Sequence, residues 1–296
     1  MDVELGQLRA LAAAVTTGTL EGAARELHVT PSAVSQRLKA LETATGRVLL
    51  VRSKPVRVTP SGAAVLRLAR QVELLTADAA QELRTESGPG GRPVVPIAVN
   101  ADSLATWLLP ALAPLASDHC FDLHSTDQEH TSGLLRDGTV MAAVTAEADP
   151  VPGCRVIRLG AMRYRPMATA AFAREWFPDG VAPSALSAAP VVVFDRKDDL
   201  QHAYLQRKGA TQPPIHYVPS SADYLRAIRL GLGWGMVPDL QLTGGDAGAL
   251  VDLDRDGATD VVLHWQQWRL HSPALDRVAD AVRRAAAEQL TPAVRR

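Results

Sequence analysis

The chain has 296 residues, of which 47% are hydrophobic, so it is long enough for two or three domains with cores of their own. It contains no uncharged apolar run of about 18 residues, which argues against a membrane-spanning helix. The N-terminus carries acidic rather than basic residues, which is not typical of a signal peptide, and two cysteines cannot build a disulfide framework. We therefore expect a cytoplasmic protein without membrane contact, whose cysteines are reduced and buried.

The first predicted elements form a helix-turn-helix. Residues 4 to 16 have the pattern of an amphipathic helix, which Gly18 ends. After a further short helix, Thr30 can cap another helix that has Pro31 at its first position. Apolar residues then repeat at spacings of four and three, and they are Val34, Leu38 and Leu41. We expect this stripe to face the core of a small domain.

The opposite face of this last helix carries side chains that can hydrogen-bond to DNA. They are Ser32, Ser35, Gln36, Arg37 and Lys39. A helix that lies in a DNA major groove needs such side chains on its outer face. We expect Ser32, Ser35 and Gln36 to face the bases, and Arg37 to hold a phosphate or a groove edge.

Basic residues are concentrated in the same part of the chain. The formal net charge of the protein is −1, yet residues 31 to 70 contain eight basic residues and a single acid. Strands predicted at 48–51 and 56–58 form a wing, whose candidate phosphate contacts are Arg52, Lys54 and Arg57. No aromatic residue precedes Trp107, so the stacking platforms of single-strand and RNA binders are missing and double-stranded DNA is the favoured partner.

A long helix follows the wing, and a break follows the helix. Residues 1–60 are expected to form the DNA-binding domain, and residues 61–87 a linker helix. Apolar residues recur along this helix at spacings of three and four, and they are Val65, Leu68, Val72, Leu75 and Ala79. This pattern is typical of a seam between two chains, although a helix packed on its own domain shows it too. Residues 87–91, which read SGPGG, predict a hinge.

Beyond residue 92, predicted strands and helices alternate. Strands are expected at 94–99, 121–125, 140–145, 190–194, 215–218, 234–237 and 261–268. Helices are expected at 103–115, 129–136, 198–207, 221–230 and 274–289. The alternation forms two sets with a final return to the first, which predicts two open α/β lobes joined by crossing strands.

Candidate ligand-binding residues lie where predicted strands end and predicted helices begin, the place where open α/β sheets bind ligands. They are Asn100, Asp102, Ser103, Asp127, Asp195, Ser220 and Ser221. We expect Ser103 and the adjacent helix amides to bind a ligand carboxylate, and Asp127 or Asp195 to pair with a ligand cation. Ordinary helix capping at both serine sites, and simple solvation of Asp195, are the alternatives.

Catalytic and metal-binding motifs are missing from the sequence. It contains neither a phosphate-binding loop of the GxxxxGK type nor a GxSxG nucleophile elbow. His119, His124 and His130 are separated by spacings of five and six, which do not place them together on a helix face. We therefore expect no enzymatic activity, no metal and no cofactor.

The N-terminal segment resembles the LysR-type transcriptional regulators. The matching residues are Ala23, Ala24, Leu27, Thr30, Ser32, Ala33, Val34, Ser35, Leu38, Leu41, Glu42, Gly46, Leu49, Arg52, Val58, Thr59 and Gly62. The resemblance continues through Gly231-Leu232-Gly233 to Val237-Pro238. One departure is Pro31, where the family usually has a glutamine that often contacts DNA.

This resemblance implies an α/β protein with three parts. They are an N-terminal winged helix-turn-helix, a dimerising linker helix, and a two-lobed effector domain similar to periplasmic binding proteins. The effector domain would span residues 92–296, with lobe I at about 92–163 and 268–296 and lobe II at about 164–267. The partners implied are promoter DNA and a second copy of the chain; a tetramer is left open, and RNA polymerase is a further candidate partner.

Finer matches resemble one branch of the family, the arginine- and lysine-responsive regulators of basic amino-acid export. They are residues 100–110 (NADSLATWLLP), Asp127, residues 190–195 (PVVVFD), Ser220 and Ser221. The branch implies lysine, arginine or histidine as effector and activation of an exporter gene. The alternative is an effector-independent architectural or replication-origin protein, because the branch also resembles proteins once assigned that role. A small-molecule enzyme with an accessory DNA-binding domain is the third hypothesis.

Overall fold

Three helices form the core of the N-terminal domain. The computed structural model describes residues 3–51, 53–83, 92–126, 131–242 and 250–292. The three helices are α1 (Leu5–Thr17), α2 (Leu20–Glu26) and α3 (Pro31–Thr45). The Thr30 hydroxyl accepts a hydrogen bond from the Ala33 amide at 3.2 Å, so the predicted helix cap is confirmed. The predicted inner stripe is also confirmed, because Val34, Leu38 and Leu41 are buried.

A short wing follows α3. Its strands are β1 (Leu50–Val51) and β2 (Arg57–Val58), which pair antiparallel and are shorter than predicted. The Glu42 carboxylate accepts a hydrogen bond from the Leu49 amide at 2.8 Å, and the Thr59 amide donates to the Leu49 carbonyl at 2.9 Å. These contacts fix the base of the wing to the end of α3.

The linker helix α4 (Pro60–Glu82) packs on both domains. Val65 is buried in the core of the DNA-binding domain, whereas Leu74 is buried in the core of the effector domain. Leu75 is 43% exposed, so part of the predicted apolar seam faces outward. The predicted hinge at 87–91 lies outside the described residues.

The effector domain is built on one large sheet and one small one. Its strands are β3 (Val94–Asn100), β4 (Cys120–Thr126), β5 (Ala142–Thr145), β6 (Cys154–Thr169), β7 (Val191–Val193), β8 (Ile215–Tyr217), β9 (Gly235–Pro238), β10 (Leu250–Asp252) and β11 (Thr259–Trp268). In the described part of the chain the large sheet has the order β10-β6-β11-β5-β3-β4, with β9 also paired to β6. Strands β7 and β8 form the small parallel sheet.

Helices cover these sheets. They are α5 (Ala101–Ser103), α6 (Leu109–Leu112), α7 (Thr131–Asp137), α8 (Ala170–Trp176), α9 (Pro183–Ala188), α10 (Leu200–Lys208), α11 (Ser221–Arg229) and α12 (Pro273–Gln289). A π-helical turn at Leu104–Leu108 joins α5 to α6, and a 3₁₀ turn at Asp239–Gln241 follows β9. None of the helices described in the structure is long and apolar enough to cross a bilayer.

Strands β6 and β11 run between two lobes. The C-terminal part of β11 pairs with β5, while the C-terminal part of β6 pairs with β9 and β10. The register between β6 and β11 shifts at Leu263 and His264, where a bulge lies between the two sets of pairings. The predicted arrangement of two α/β lobes joined by crossing strands is confirmed; the residue limits given for the domains and lobes stay predictions.

The environment of the two cysteines differs from the expectation. Cys154 is buried, and burial raises the pKa of its thiol to about 11. Cys120 begins the edge strand β4 and is exposed, so the prediction that both thiols are buried was wrong for this residue. An edge strand has a neighbouring strand on one side only. The sequence does not reveal which strand lies at the edge, so the exposure of Cys120 could not be predicted.

Candidate functional site

The outer face of α3 presents a compact polar surface. Ser32, Gln36 and Lys39 are exposed, and Ser35 is half-buried. Because a helix turns about 100° per residue, these four positions lie within an arc of about 100°. The buried stripe lies on the opposite side. The arrangement suits insertion of one helix face into a major groove.

Arg37 occupies a different position on the same helix. It lies about 140° around the helix from Ser32, next to the buried stripe. Its side chain is half-buried, and its guanidinium lies against Gly6 of α1. Arg37 therefore lies on the flank of the helix-turn-helix rather than on the face that carries Gln36, which fits the predicted contact with phosphate or a groove edge better than a contact with a base.

The wing adds exposed cations beside this surface. Lys54 and Arg57 are exposed, while Arg52 lies outside the described residues. The backbone at the base of the wing lies very close to α4 at Gly62, where a Cβ atom would lie 1.9 Å from the Leu49 carbonyl oxygen. A side chain at this position would push the wing away from the helix.

A second candidate site is a cavity of about 260 Å³ in the effector domain. It lies at the carboxyl ends of β3 and β7, near the predicted position. It is lined by Asn100, Ala101, Asp102, Tyr164, Phe194, Asp195, Lys197, Asp198, Asp199, Leu200, Ala203, Tyr224 and Met236. Four of these residues are aspartates and one is a lysine, so acids dominate a cavity that also has aromatic and aliphatic walls.

Asp102 is the carboxylate at which the two lobes meet. It belongs to lobe I, and its oxygens accept hydrogen bonds from the Tyr164 hydroxyl at 2.8 Å, the Ser221 hydroxyl at 2.8 Å and the Gln241 amide at 3.4 Å. Burial raises the pKa of Asp102, and the hydrogen bonds from Ser221 and Tyr164 partly oppose that shift. The carboxyl group is therefore partly desolvated, and these three hydrogen bonds come from neutral donors.

Asp195 and Asp198 lie in the loop after β7. One Asp195 oxygen accepts hydrogen bonds from the amides of Lys197 at 2.8 Å and Asp198 at 3.1 Å. The Asp198 carboxylate accepts from the amides of Phe194 at 3.3 Å and Leu200 at 3.1 Å. The pKa of Asp198 is raised to about 6, mainly by burial; the two backbone hydrogen bonds oppose this shift, and the charges of Asp102 and Asp195 add to it. Backbone hydrogen bonds thus fix a second half-buried carboxylate in the cavity.

The structure brings together three of the predicted effector residues, because Asn100, Asp102 and Asp195 all line the cavity. Ser221 joins them indirectly through its hydrogen bond to Asp102. Ser220 caps α11 through the amide of Asp223 at 3.4 Å, which is the capping alternative.

Two predicted residues lie elsewhere. Ser103 is fully buried behind the cavity wall, and its hydroxyl has no hydrogen-bond partner within the described chain. Asp127 lies outside the described residues, so its predicted contact with the ligand stays a prediction.

Sequence reasoning missed several residues of the cavity. Asp198 and Asp199 belong to the acidic run DRKDD, which signals charge but not depth. Tyr164 comes from β6, a strand that was not predicted, and Tyr224 comes from the inner face of α11. The apolar spacing along α11 could have identified Tyr224 as inward-facing, but only the packing of the lobes brings these residues together.

Chemically, the cavity suits recognition of a cation rather than catalysis. Half-buried carboxylates such as Asp102 and Asp198 can pair with an ammonium or guanidinium group that loses its water on binding. Tyr164, Phe194 and Met236 can pack against an aliphatic chain. Among the residues that the structure describes, no group of three histidine, cysteine or acidic side chains could hold a metal ion.

Comparisons with known proteins cover both parts of the chain. Residues 5–63 match the family described as "Bacterial regulatory helix-turn-helix protein, lysR family", and residues 90–287 match the LysR substrate binding domain. The lysine export transcriptional regulatory protein LysG of Corynebacterium glutamicum is 41% identical over 294 residues, which is 97% of this chain and 99% of that protein.

Two solved structures are similar over nearly the whole chain. The crystal structure of ArgP from Mycobacterium tuberculosis is 42% identical with a TM-score of 0.85, covering 99% of this chain and all of that one. Full-length LysG of C. glutamicum with bound effector arginine is 40% identical with a TM-score of 0.74, covering 98% of this chain and all of that one. Such relatives are transcriptional regulators and not enzymes. This chain, with its winged helix-turn-helix and two-lobed effector domain, belongs to the LysR family of DNA-binding transcriptional regulators.

Proposed function

We propose that this regulator senses basic amino acids, with arginine or lysine as effector and histidine as a weaker candidate. The observation that carries the proposal is the cavity lined by Asp102 and Asp198, which come from different lobes, are both half-buried and both have raised pKa values. A basic amino acid carries two positive groups, one at each end of an aliphatic chain. Two partly desolvated carboxylates in a cavity that also has apolar walls suit such a ligand. The arginine bound in the related LysG supports the assignment.

The ligand carboxylate needs donors of its own. The prediction that Ser103 and neighbouring helix amides supply them is kept as part of the proposal, although Ser103 would have to become accessible. Asn100 lines the cavity, and its carbonyl oxygen has no partner in the described chain. An amide side chain can rotate to offer its N–H₂ group instead. Asn100 is therefore the nearer candidate for orienting the amino-acid end.

Calorimetry with the full-length protein tests the proposal. Arginine and lysine are expected to bind, and leucine is not, because leucine leaves one carboxylate of the cavity without a cationic partner. Agmatine, which keeps the guanidinium but lacks the carboxylate, tests whether the carboxylate is recognised. Asp198→Asn should weaken arginine binding by at least about tenfold, since it removes one charge-assisted contact. Asp179→Asn, at an exposed loop position in lobe II, is the matched control.

Equal binding of leucine and arginine would refute the carboxylate-pairing proposal. Undiminished arginine affinity in a double variant, Asp102→Asn with Asp198→Asn, would refute it as well. Equal binding of agmatine and arginine would instead show that the carboxylate is not recognised, and the role assigned to Asn100 and Ser103 would be wrong.

We further propose that the protein acts as a homodimer through α4 and binds a two-fold symmetric DNA site. One recognition helix contacts too little DNA for strong specificity, whereas two copies pair naturally with a palindrome. Leu75 and Ala79 are exposed on α4, and Leu68 and Val72 are half-buried beside them. Assembly into tetramers and contact with RNA polymerase are left to experiment.

The regulatory output is the finest level of the proposal. We propose that the protein acts in the cytoplasm, where basic amino acids make it raise transcription of a gene for a basic amino-acid exporter. The proposal is made by analogy with the lysine export regulator named above. A reporter gene fused to the promoter that the protein binds should respond to arginine or lysine. If DNA occupancy and transcription ignored both amino acids although they bind the protein, the effector-independent architectural alternative would be correct.

A further inference from the structure

Linker helix α4 is anchored in two cores at once. Its N-terminal half supplies Leu66 and Ala69 to the core of the DNA-binding domain, and its Arg70 side chain hydrogen-bonds to Thr16 of α1. Its C-terminal half supplies Leu74 to the core of the effector domain. One half of the helix is thus packed into each domain. The position in which α4 packs on the effector domain, called its seat below, therefore determines where the DNA-binding domain lies.

Two charged residues of α4 meet the ends of effector-domain helices. The Arg67 guanidinium donates to the Arg136 carbonyl in the last turn of α7. The Asp78 carboxylate accepts from the Ser272 hydroxyl at 2.5 Å, and Ser272 is the N-cap of α12. A cation therefore lies at a helix C-terminus and an anion at a helix N-terminus, which is favourable in both cases.

The spacing of these residues shows that they form one docking face. Arg67, Leu74 and Asp78 are seven and four residues apart, so they lie on one stripe of α4. Asp78 is 7% exposed and Leu74 is 2% exposed. Leu75 lies on another face of the helix, and so the docking face is separate from the proposed dimer seam.

Gly138 shapes the effector-domain side of this contact. Its φ angle is +83°, and a Cβ atom there would lie 2.7 Å from Arg67 Cγ and 2.9 Å from the Arg67 backbone nitrogen. The backbone of α4 therefore rests directly on the loop after α7. An alanine at position 138 would lift α4 from its seat.

We propose that Arg67 and Asp78 are positioning residues that transmit the state of the effector domain to the DNA-binding domain. The far end of α12 is tied to β6, because the backbones of Thr291 and Ala161 pair, and β6 carries Tyr164 to Asp102 in the cavity. A shift of β6 or α12 on ligand binding moves the helix end that holds Asp78. The identity of the ligand in this inference rests on the proposed function; the docking of α4 does not.

The first test measures the seat of α4 without any effector. Spin labels at positions 25 and 174, both exposed, report the distance between the two domains in full-length protein with Cys120→Ser, diluted into excess unlabelled protein. Asp78→Asn keeps an acceptor for Ser272 but removes the charge, and Gly138→Ala crowds Arg67. Both variants should broaden or shift the distance distribution. An unchanged distribution in both would overturn the inference.

Matched controls separate docking from local strain. Glu73→Gln removes a negative charge from the same helix at a position whose ion pair is with Arg70. Gly180→Ala imposes the same backbone penalty as Gly138→Ala, since Gly180 has a φ of +88° but faces open space. Both controls should keep the wild-type distances.

The second test measures coupling. The dissociation constant for a duplex selected from a random pool by the wild-type protein is determined with and without arginine. Couplings of about 5–150-fold are typical of allosteric proteins, and Asp78→Asn and Gly138→Ala should bring the ratio close to unity while arginine affinity in the absence of DNA is kept. A purely structural role would lower Tm and leave the ratio unchanged, and that result would overturn the inference. If arginine did not bind the wild-type protein, the proposed effector would be wrong, and the spin-label distances would still decide whether these residues seat α4.

Discussion

Asp198 shows how one half-buried residue can make effector sensing depend on pH. Burial raises the pKa of its carboxyl group to about 6, so the group is protonated in much of the population at mildly acidic pH. A ligand cation pairs only with the ionised form. Binding must therefore release the proton, and arginine affinity should increase as pH rises through the pKa of free Asp198.

We predict that the affinity for arginine rises about tenfold between about pH 5 and about pH 7.5 and then levels off. Arginine is the right ligand because its guanidinium does not titrate in this range. Asp102, Asp195 and Asp199 also line the cavity, and Asp102 has a raised pKa too. Isothermal titration at each pH is the measurement; if Asp198→Asn showed the same slope as the wild type, the titrating group would be another of these acids.

Position 62 has no room for a side chain, which explains why it is a glycine. A Cβ atom there would lie 1.9 Å from the Leu49 carbonyl oxygen, which is backbone and cannot rotate away. We predict that Gly62→Ala destabilises the DNA-binding domain by about 2–3 kcal/mol, even though alanine favours a helix. Gly133→Ala, also helical but facing open space, should instead raise stability by about 0.5–1 kcal/mol. Urea unfolding of both variants checks the contrast, and equal effects would contradict it.

At the scale of elements, the recognition helix and the wing should contribute differently to DNA binding. Gln36 lies on the outer face of α3, whereas Arg57 lies in the wing. We predict that Gln36→Ala costs about 1–3 kcal/mol on the preferred sequence and relaxes preference at one position. Arg57→Ala should weaken all sequences alike and reduce the salt slope by about one.

Binding selections and a salt series with wild-type and variant proteins separate these outcomes. Gln206→Ala is the matched control, because it makes the same change as Gln36→Ala at an exposed helical position, but on α10 of the effector domain. It should leave both the sequence preference and the salt slope as in the wild type. A selection in which Gln36→Ala kept the full sequence preference would remove Gln36 from base recognition.

The sequence predicted the local elements well because their signals are local. Thr30, Pro31 and the stripe from Val34 to Leu41 define α3 within a few residues of chain. In contrast, β6 was missed because Cys154–Thr169 passes through both lobes, and its burial does not alternate as in a strand with one wet face. The helices α8 and α9 were also not predicted, since each is short and is stabilised mainly by packing.

The candidate effector site was predicted only in part for the same reason. The rule that ligands bind at strand ends led to Asp102 and Asp195, which do line the cavity. It could not distinguish Asp198, three residues further on, because the depth of that carboxylate depends on how the loop folds back onto Phe194. Ser103 was expected at the surface of the site and is fully buried, which the sequence signal for a helix start could not show.

At the scale of the whole molecule, α4 divides its surface among three neighbours. Leu66 faces the DNA-binding domain, Leu74 faces the effector domain, and Leu75 faces outward. Regulation by a ligand requires that it bind one arrangement of the molecule better than another. With two faces of α4 committed to domains of the same chain, the outward face is the one left for a second copy.

We predict that Leu75→Glu converts the dimer into monomers that bind DNA weakly. Leu68→Glu would test the same seam, but Leu68 also packs against the core of the DNA-binding domain, so Leu75→Glu is the cleaner change. Burying an unpaired carboxylate in a two-chain seam costs several kcal/mol, which exceeds what such a short seam can supply. Light scattering at several concentrations measures the assembly.

Leu232→Glu is the matched control, because Leu232 is 41% exposed and Leu75 is 43% exposed, yet Leu232 lies in lobe II. The two variants should unfold at similar temperatures, and only Leu75→Glu should lose both the dimer and high-affinity binding to a palindromic duplex. A Leu75→Glu protein that stayed dimeric would place the two-fold interface elsewhere and leave the outward face of α4 to solvent.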